Sequence, residues 1–566
     1  MSSQGIKYLN RLQKFKKFGQ PIIIVLDKLR IFGLIVPVIN FTLRKLKIKK
    51  QFQKNLNYRL IGRAFNKSKF PVKNSSSNVI LFPFFSGGNN IFFLINLVIG
   101  YRLSKKGFRS VYLVCDNAIP ICGNERVHKT RHTDRYLCYN CAKPYNWLKR
   151  ITQAEILYIS DYQNKIELDR LSIEIKKLKD LESLLKFQFD EIEIGKLVEK
   201  SVMRYFFIGK LEENNETIVV FQKFITSILS LHISLKTLLK DKPELFPEKI
   251  ILYNGTLSLE GYYRVWAQKK NIEYITQETY IGQDSWIYKK NDEVMKLRWD
   301  KEWNEFKDID FTTYHQEKAM SYLDGLSQGK EMYDRLNHDY ELDIDLKKKD
   351  FVVLFTNLNF DTAVLGRNPI FNSMKEWIDQ TINYWIKNQP KQLLVIRIHP
   401  AEAKLLKPTN DFIGIYLKEI NEKIKAANIK VYQSHDKVSS YELIKFMKLG
   451  LVYSSTIGIE IAYNNKPCLI AGDAFYKGQD FVYSSDNQIN YFKQLNSLLN
   501  SKNKKSINKT DLLRFVYFIY FKRVKRLKGI NIDHANHINS FSFDSIEELI
   551  QLNNEVFTEF EDEILT

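Results

Sequence analysis

The chain is 566 residues long, enough for about three or four units at roughly 150 residues per domain. Its 44% apolar and 13% aromatic residues exclude global disorder. The net charge of +22 would ordinarily suggest a nucleic-acid partner, but residues 1–73 hold eighteen Lys and Arg against the single acid Asp27, leaving only about +5 on residues 74–566. The body is near neutral, and nucleic acid is not an expected partner.

Residues 1–75 read as a basic N-terminal extension. Its apolar run Ile31 to Leu43 is 13 residues long, contains Pro37 and is closed by Arg30 and Arg44. A spanning helix needs about 20 mostly apolar residues, so a transmembrane segment is not expected. The late apolar stretch with no small-residue cleavage site after it does not fit a signal peptide either. Arg44, Lys45, Lys47, Lys49 and Lys50 follow directly. Apolar residues beside a cationic run suit the surface of an anionic membrane, at about 1 kcal/mol per basic residue. The expectation is a cytoplasmic protein, peripheral at the inner face of the membrane, with a solvated leader or an RNA-binding arm as alternatives.

Lys67 to Asn78 is polar and Ser-rich, as a linker would be. The short apolar run Val79 to Phe85, the Gly-rich turn at Gly87 and Gly88, and the apolar-rich Ile91 to Tyr101 read as strand, turn and helix, the opening of an α/β domain. Strands are expected at Ser110 to Cys115, Lys249 to Tyr253 and Ile272 to Thr276, with helix over most of Lys165 to Leu239. After the charged stretch Asp343 to Asp350 a second alternating series begins. Its strands are Phe351 to Phe355, Gln392 to Ile398, Ile429 to Tyr432, Leu449 to Tyr453 and Pro467 to Ala471; its helices are Phe371 to Trp385, Lys418 to Ala427 and Tyr441 to Met447. Two such series predict an α/β protein with two Rossmann-like domains of parallel sheet, at 76–345 and 346–490, followed by a helical tail at 491–566.

Ligands of open α/β sheets bind outside the carboxyl ends of the strands, so the residues just after each strand matter most. Arg397, His399, Pro400 and Glu402 end one strand, and Pro400 would stiffen the turn that holds the imidazole. Ser454, Ser455, Thr456, Gly458 and Glu460 follow another. Hydroxyls and free backbone N–H groups at a helix start suit an anion, Gly458 would let the backbone approach, and Glu460 could accept from ribose hydroxyls. The competing reading is a helix cap and an ordinary histidine.

Arg397-Ile398-His399-Pro400-Ala401-Glu402, Ser454-Ser455-Thr456-Ile457-Gly458-Ile459-Glu460, Lys466-Pro467 and Gly472-Asp473-Ala474-Phe475-Tyr476 together resemble the C-terminal half of the capsule polysaccharide biosynthesis glycosyltransferases, a group related to bacterial Kdo transferases and sialyltransferases. The ordered match spans roughly residues 350–480; Gly87, Gly88, Asn254-Gly255, Glu278 and Gly282 give a thinner one upstream. The resemblance implies two Rossmann-like domains facing a cleft (a GT-B fold), with an acceptor domain first and a nucleotide-sugar domain second. It implies transfer from a nucleotide-activated donor, CMP-sugar favoured, to a surface polysaccharide or lipid-linked glycan. Arg397, His399, Pro400, Ser454, Ser455, Thr456, Gly458 and Glu460 would bind the nucleotide, and Gly87 and Gly88 would form an acceptor-side loop. Glu278, Asp284 and Asp361 are the candidates for a catalytic base. The alternatives are a UDP- or GDP-sugar transferase or a sugar-nucleotide epimerase of the same fold, or a non-catalytic zinc-bearing scaffold at the membrane.

Two Asp-x-Asp triplets, Asp308/Asp310 and Asp343/Asp345, lie in charged stretches between the strand series, which favours metal-independent transfer. Gly87 and Gly88 lack the G-x-G-x-x-G spacing, so no redox cofactor is expected. Cys115, Cys122, Cys138 and Cys141 fall in a C-x6-C-x15-C-x2-C pattern with His128 and His132 between them, a spacing that suits structural zinc; unrelated buried thiols and an iron–sulfur or redox role are the alternatives. Leu512 to Phe521, followed by Lys522, Arg523, Lys525, Arg526 and Lys528, reads as a packed aromatic helix, with membrane docking as the alternative.

Overall fold

The computed structural model describes residues 78–84, 90–123, 138, 141–142, 144–146, 148–149, 155–280, 285–327, 341–362, 364–404, 412–425, 427–501, 507–532 and 538–566. The basic extension, Gly87, Gly88, His128, His132, Gly282 and Asp284 lie outside the described residues. The chain divides into two compact units, one of residues 1–169, 229–251 and 528–566, the other of residues 170–228 and 252–527.

In the first unit, β1 (Val79–Phe84), β2 (Arg109–Val114), β3 (Glu155–Tyr158) and β4 (Pro247–Tyr253) form parallel neighbours in the order β4-β1-β2-β3. Helix α1 (Asn90–Lys105) connects β1 to β2 and buries every residue from Ile91 to Ile99, which is why its sequence is apolar nearly all round. The Arg109 guanidinium grips Glu155 through two hydrogen bonds of 2.8 and 2.9 Å, tying β2 to β3. Helix Asn215–Asp241 is long and apolar enough to cross a membrane, but 83% of its most apolar window is buried in the protein, as in a core helix.

The second unit holds α2 (Ile194–Phe206), α3 (Ser258–Lys269) and the antiparallel pair β5 (Glu273–Glu278) and β6 (Ser285–Lys290). It also holds a six-stranded, all-parallel sheet of β7 (Phe351–Phe355), β8 (Leu393–Arg397), β9 (Ile429–Tyr432), β10 (Leu449–Val452), β11 (Cys468–Ile470) and β12 (Tyr483–Ser484), ordered β12-β11-β10-β7-β8-β9. The protein is thus α/β with parallel sheets, as the alternating pattern predicts.

The period of two along β7 separates two cores. Val352 and Leu354 face α4 (Met374–Asn388), burying Trp377, Ile378 and Trp385. Phe351, Val353 and Phe355 join the other core with α5 (Ile457–Tyr463) and the aromatic helix Lys509–Tyr517. The aromatic run from Leu512 therefore fills a core. Arg523 of its basic end lies 5.1 Å from the Trp299 ring centroid. Ser373 caps α4 by accepting from Glu376 N at 3.1 Å, and Gln389 ends it in the left-handed region just before Pro390. Gly450 in β10 has a packing reason: a Cβ there would come within 2.6 Å of Ile461 Cδ1, so α5 rests directly on the strand.

Candidate functional site

Strand β7 sits between β8 and β10, so the order of the sheet reverses there, and the carboxyl ends of these strands are where an open α/β sheet places a ligand crevice. Thr356 and Asn357, both buried, follow β7. His399 N donates to Thr356 Oγ1 at 2.9 Å, and Ser454 N donates to Asn357 Oδ1 at 3.3 Å. Two consecutive residues thereby bring the segments after β8 and β10 together. Asn357 N in turn donates to Met374 Sδ at 3.3 Å, anchoring the loop to the start of α4. A cavity of about 90 Å³ borders the same loop, lined by Gly209, Asn359, Leu365, Asn368 and Met374 among others.

The part-buried His399 ring accepts from Ala401 N through Nδ1 at 3.2 Å, which assigns the proton to Nε2. Burial pushes its pKa down to about 4; Asp361 opposes this and Arg397 adds to it. At neutral pH His399 is an uncharged N–H donor. Pro400 opens a 3-10 turn, and Glu402 N closes it on His399 O at 3.0 Å.

Arg397 directs two of its guanidinium nitrogens at the segment after β9, while its buried Nε has no hydrogen-bond partner among the described residues. The residue is buried, with Nη1 donating to Gln433 O at 2.7 Å and Nη2 to Val438 O at 3.2 Å, so it braces the segment after β9. Ser455 and Thr456 are part-buried at the start of α5, where Ser455 Oγ accepts from Ile457 N at 3.4 Å. Because α5 has only seven residues, hydroxyls and loop N–H groups, rather than a long helix dipole, give this corner its polarity. Gly458 serves packing: a Cβ there would lie 2.2 Å from Tyr476 Oη and 2.8 Å from its ring. Glu460 lies on the side of α5 toward Tyr476 and Tyr520, whose hydroxyls feel its charge.

Glu278 ends β5 as a buried carboxyl. Its Oε2 accepts from Asn254 Nδ2 at 2.8 Å and its Oε1 from Thr279 N at 2.9 Å. Burial raises its pKa, against those hydrogen bonds. Glu260 at the start of α3 is a second buried carboxyl beside it, raised to about 7 by burial, with Glu278 adding repulsion. Asn254 and Gly255, at φ +46° and +76°, make the sharp turn that presents this pair. Asp361 is an electrostatic neighbour of His399. Thr356, Asn357 and Glu260 were not singled out by sequence reasoning; Thr356 and Asn357 carry the signal of following a central strand, but the strand order is needed to see it.

Asp308, Asp310, Asp343 and Asp345 are exposed, and Asp343 Oδ1 accepts from Asp345 N at 3.0 Å as a local cap. Burial pushes the Cys115 thiol up to about 12, with Cys141 and Cys138 as charge neighbours. Among the described residues, no three His, Cys, Asp or Glu side chains are grouped to hold a metal.

Residues 255–522, just under half of the chain, match the family model described as capsule polysaccharide biosynthesis protein. No curated protein matches the sequence. Among solved structures, the chain is similar to the KpsC beta Kdo 2,7 transferase of Thermosulfurimonas dismutans, at 14% identity over 57% of this chain and 88% of that one, with a TM-score of 0.32. It is also similar to a putative UDP-N-acetylglucosamine 2-epimerase of Listeria monocytogenes, at 11% identity over 78% and 94%, TM-score 0.21. A third is the UDP-GlcNAc 2-epimerase of Neisseria meningitidis, at 11% identity over 78% and 100%, TM-score 0.22.

Proposed function

We propose that this protein is a glycosyltransferase, a reading supported by the match of residues 255–522 to the capsule polysaccharide biosynthesis family model. It moves a sugar from a nucleotide-activated donor, preferentially a CMP-sugar, to a surface polysaccharide or lipid-linked glycan. The observation that carries this reading is the convergence of His399 and Ser454 on Thr356 and Asn357 at the switch point of the parallel sheet.

In this mechanism the Nε2–H of neutral His399 and the hydroxyls of Ser454, Ser455 and Thr456 donate to the phosphate oxygen that gains charge as the glycosidic bond to the nucleotide breaks. Glu278, a buried carboxyl whose pKa burial raises, takes the proton of the acceptor hydroxyl as that oxygen bonds to the anomeric carbon. Such a base contributes about 10²–10⁴-fold. Asp361 biases His399 electrostatically. Metal-independent transfer is part of the proposal, because the Asp-x-Asp triplets are exposed and one is a local cap.

A screen of activated sugars with the purified full chain tests the reading. Transfer from a CMP-sugar is expected, and CMP binding should be lost in His399→Ala. Binding of UDP or GDP instead would move the assignment to the transferase or epimerase alternatives, and no nucleotide binding at all would favour the scaffold. Attachment of the cytoplasmic protein to the inner membrane surface through residues 1–75 belongs to the same proposal. So does structural zinc at Cys115, Cys122, Cys138 and Cys141, which rests on their spacing alone, since the four thiols are not gathered into a metal-holding group among the described residues. Metal analysis should find zinc; its absence would remove that element without touching the transfer chemistry.

A further inference from the structure

Among the described residues after β7, β8 and β10, His399 is a neutral donor and Arg397 directs Nη1 and Nη2 to carbonyls, with only its buried Nε unpartnered. Positive charge gathers elsewhere in the same unit. Lys200 of α2 lays its stem on Gly366, where a Cβ would come within 2.7 Å of Cε and 3.2 Å of Nζ, and Gly366 itself sits at φ +71°. Arg264 of α3 donates through Nε to Gly255 O at 2.9 Å and pairs with Glu293 at 3.3 Å. Arg367, next to Gly366, donates to Met295 O, and its own carbonyl accepts from Asp473 N at 3.3 Å. Lys296 pairs with Asp292 at 2.6 Å, and Arg298 with Asp473 at 2.5 Å.

Lys200 differs from these neighbours. Among the described residues it has no carboxylate within 4 Å and no hydrogen-bond acceptor, although it is part-buried. Burial lowers its pKa most; Glu293 opposes this, and Arg264, Arg367 and Lys296 repel it. Lys200 is thus a desolvated ammonium beside Arg264, Arg367 and Lys296, with the charges of Glu293 and Glu199 nearby but no carboxylate paired to it, a setting that a bound anion would complete. Both ends of the cluster reach residues already described: Arg264 holds the Gly255 turn beside Glu278, and Arg367 feels Asp361, the neighbour of His399.

We propose that Lys200, flanked by Arg264 and Arg367, is an anion subsite that binds a substrate oxyanion. This inference rests on the glycosyl-transfer reading and names a charge its substrates carry. The oxyanion is either the phosphate of the donor or a carboxylate or phosphate on the acceptor. In both cases the subsite adds a cation to the neutral donors after β8 and β10.

The test uses the full chain and inorganic pyrophosphate as probe. Acylation of Lys200, read by mass spectrometry, is expected to slow about fivefold or more when pyrophosphate is present, as for a charge-assisted contact. If the donor phosphate is the anion, Lys200→Met weakens CMP binding about tenfold or more and Lys200→Arg retains part of it. If the acceptor carries the anion, Lys200→Met leaves CMP binding intact and raises KM about tenfold for an anionic acceptor but not for a neutral one. Absence of protection by pyrophosphate overturns the proposal, and so do a nucleotide affinity and an acceptor KM both unchanged in Lys200→Met. If that variant fails to fold, the protection of wild-type Lys200 decides alone. Protection in a protein that binds no nucleotide and transfers no sugar would instead defeat the glycosyltransferase reading and leave the anion subsite standing.

Discussion

His399 stays neutral because burial penalises the imidazolium more than Asp361 supports it. Its donor role therefore needs no protonation, and from about pH 8 to about pH 5.5 the affinity for CMP in calorimetric titrations is expected to follow the ionisation of the CMP phosphate (pKa about 6) and of Glu260, with no histidine step added. A further loss of affinity on raising the pH through the ordinary histidine range would show that the imidazolium is the binding form. The same shift links to stability. The folded pKa of about 4 lies below the ordinary 6.5, so between those values the unfolded chain binds more protons and stability falls as pH falls. His399→Gln should flatten that limb of the unfolding profile. Glu260 has the opposite sign: its folded pKa of about 7 lies above the ordinary 4.5, so the fold holds the extra proton and its contribution weakens as pH rises through that window. Glu260→Gln should gain stability relative to wild type at pH about 8 compared with pH about 5; an equal difference at both would contradict the buried-pair description. Among residues, His399 and the Ser454–Thr456 row were legible from their place after strands. The commitment of Arg397 to Gln433 and Val438 was not, because a strand-end arginine looks the same in sequence whether it faces a ligand or a neighbouring loop.

Between elements, two glycines explain how α5 approaches the sheet. Gly450→Val would drive a branched side chain into Ile461 and Met447, and Gly458→Ala would meet the Tyr476 ring. Each is expected to cost about 1–3 kcal/mol in chemical denaturation, as overpacking does. A double-mutant cycle of Gly458→Ala with Tyr476→Ala should recover part of that cost, whereas strict additivity would show that the ring is not the obstacle. The strands of the second series were readable because β7, β8 and β10 are short apolar runs bounded by polar residues. Strands β3 and β6 were not: EILY carries a charged end, and SWIYKK mixes aromatic and basic residues in the manner of a half-exposed helix face. Strand order lies beyond any local pattern, so the meeting of Thr356 with His399 and of Asn357 with Ser454 was expected only as a consequence of the fold.

Across the whole molecule, the charge of residues 1–73 separates attachment from chemistry. Deleting that segment should abolish retention on vesicles of anionic lipid while nucleotide binding by the remainder persists; undiminished vesicle binding would contradict the membrane role. The proposed transfer depends on the switch point of the six-stranded sheet, with its donors on the segments after β8 and β10. The most direct measurement is calorimetric titration of CMP into the wild-type protein and His399→Ala. Saturable binding to the first is expected, with at least about a tenfold loss in the second, the scale of a lost hydrogen bond to a charged group. Equal affinity in both proteins would contradict the role proposed for His399.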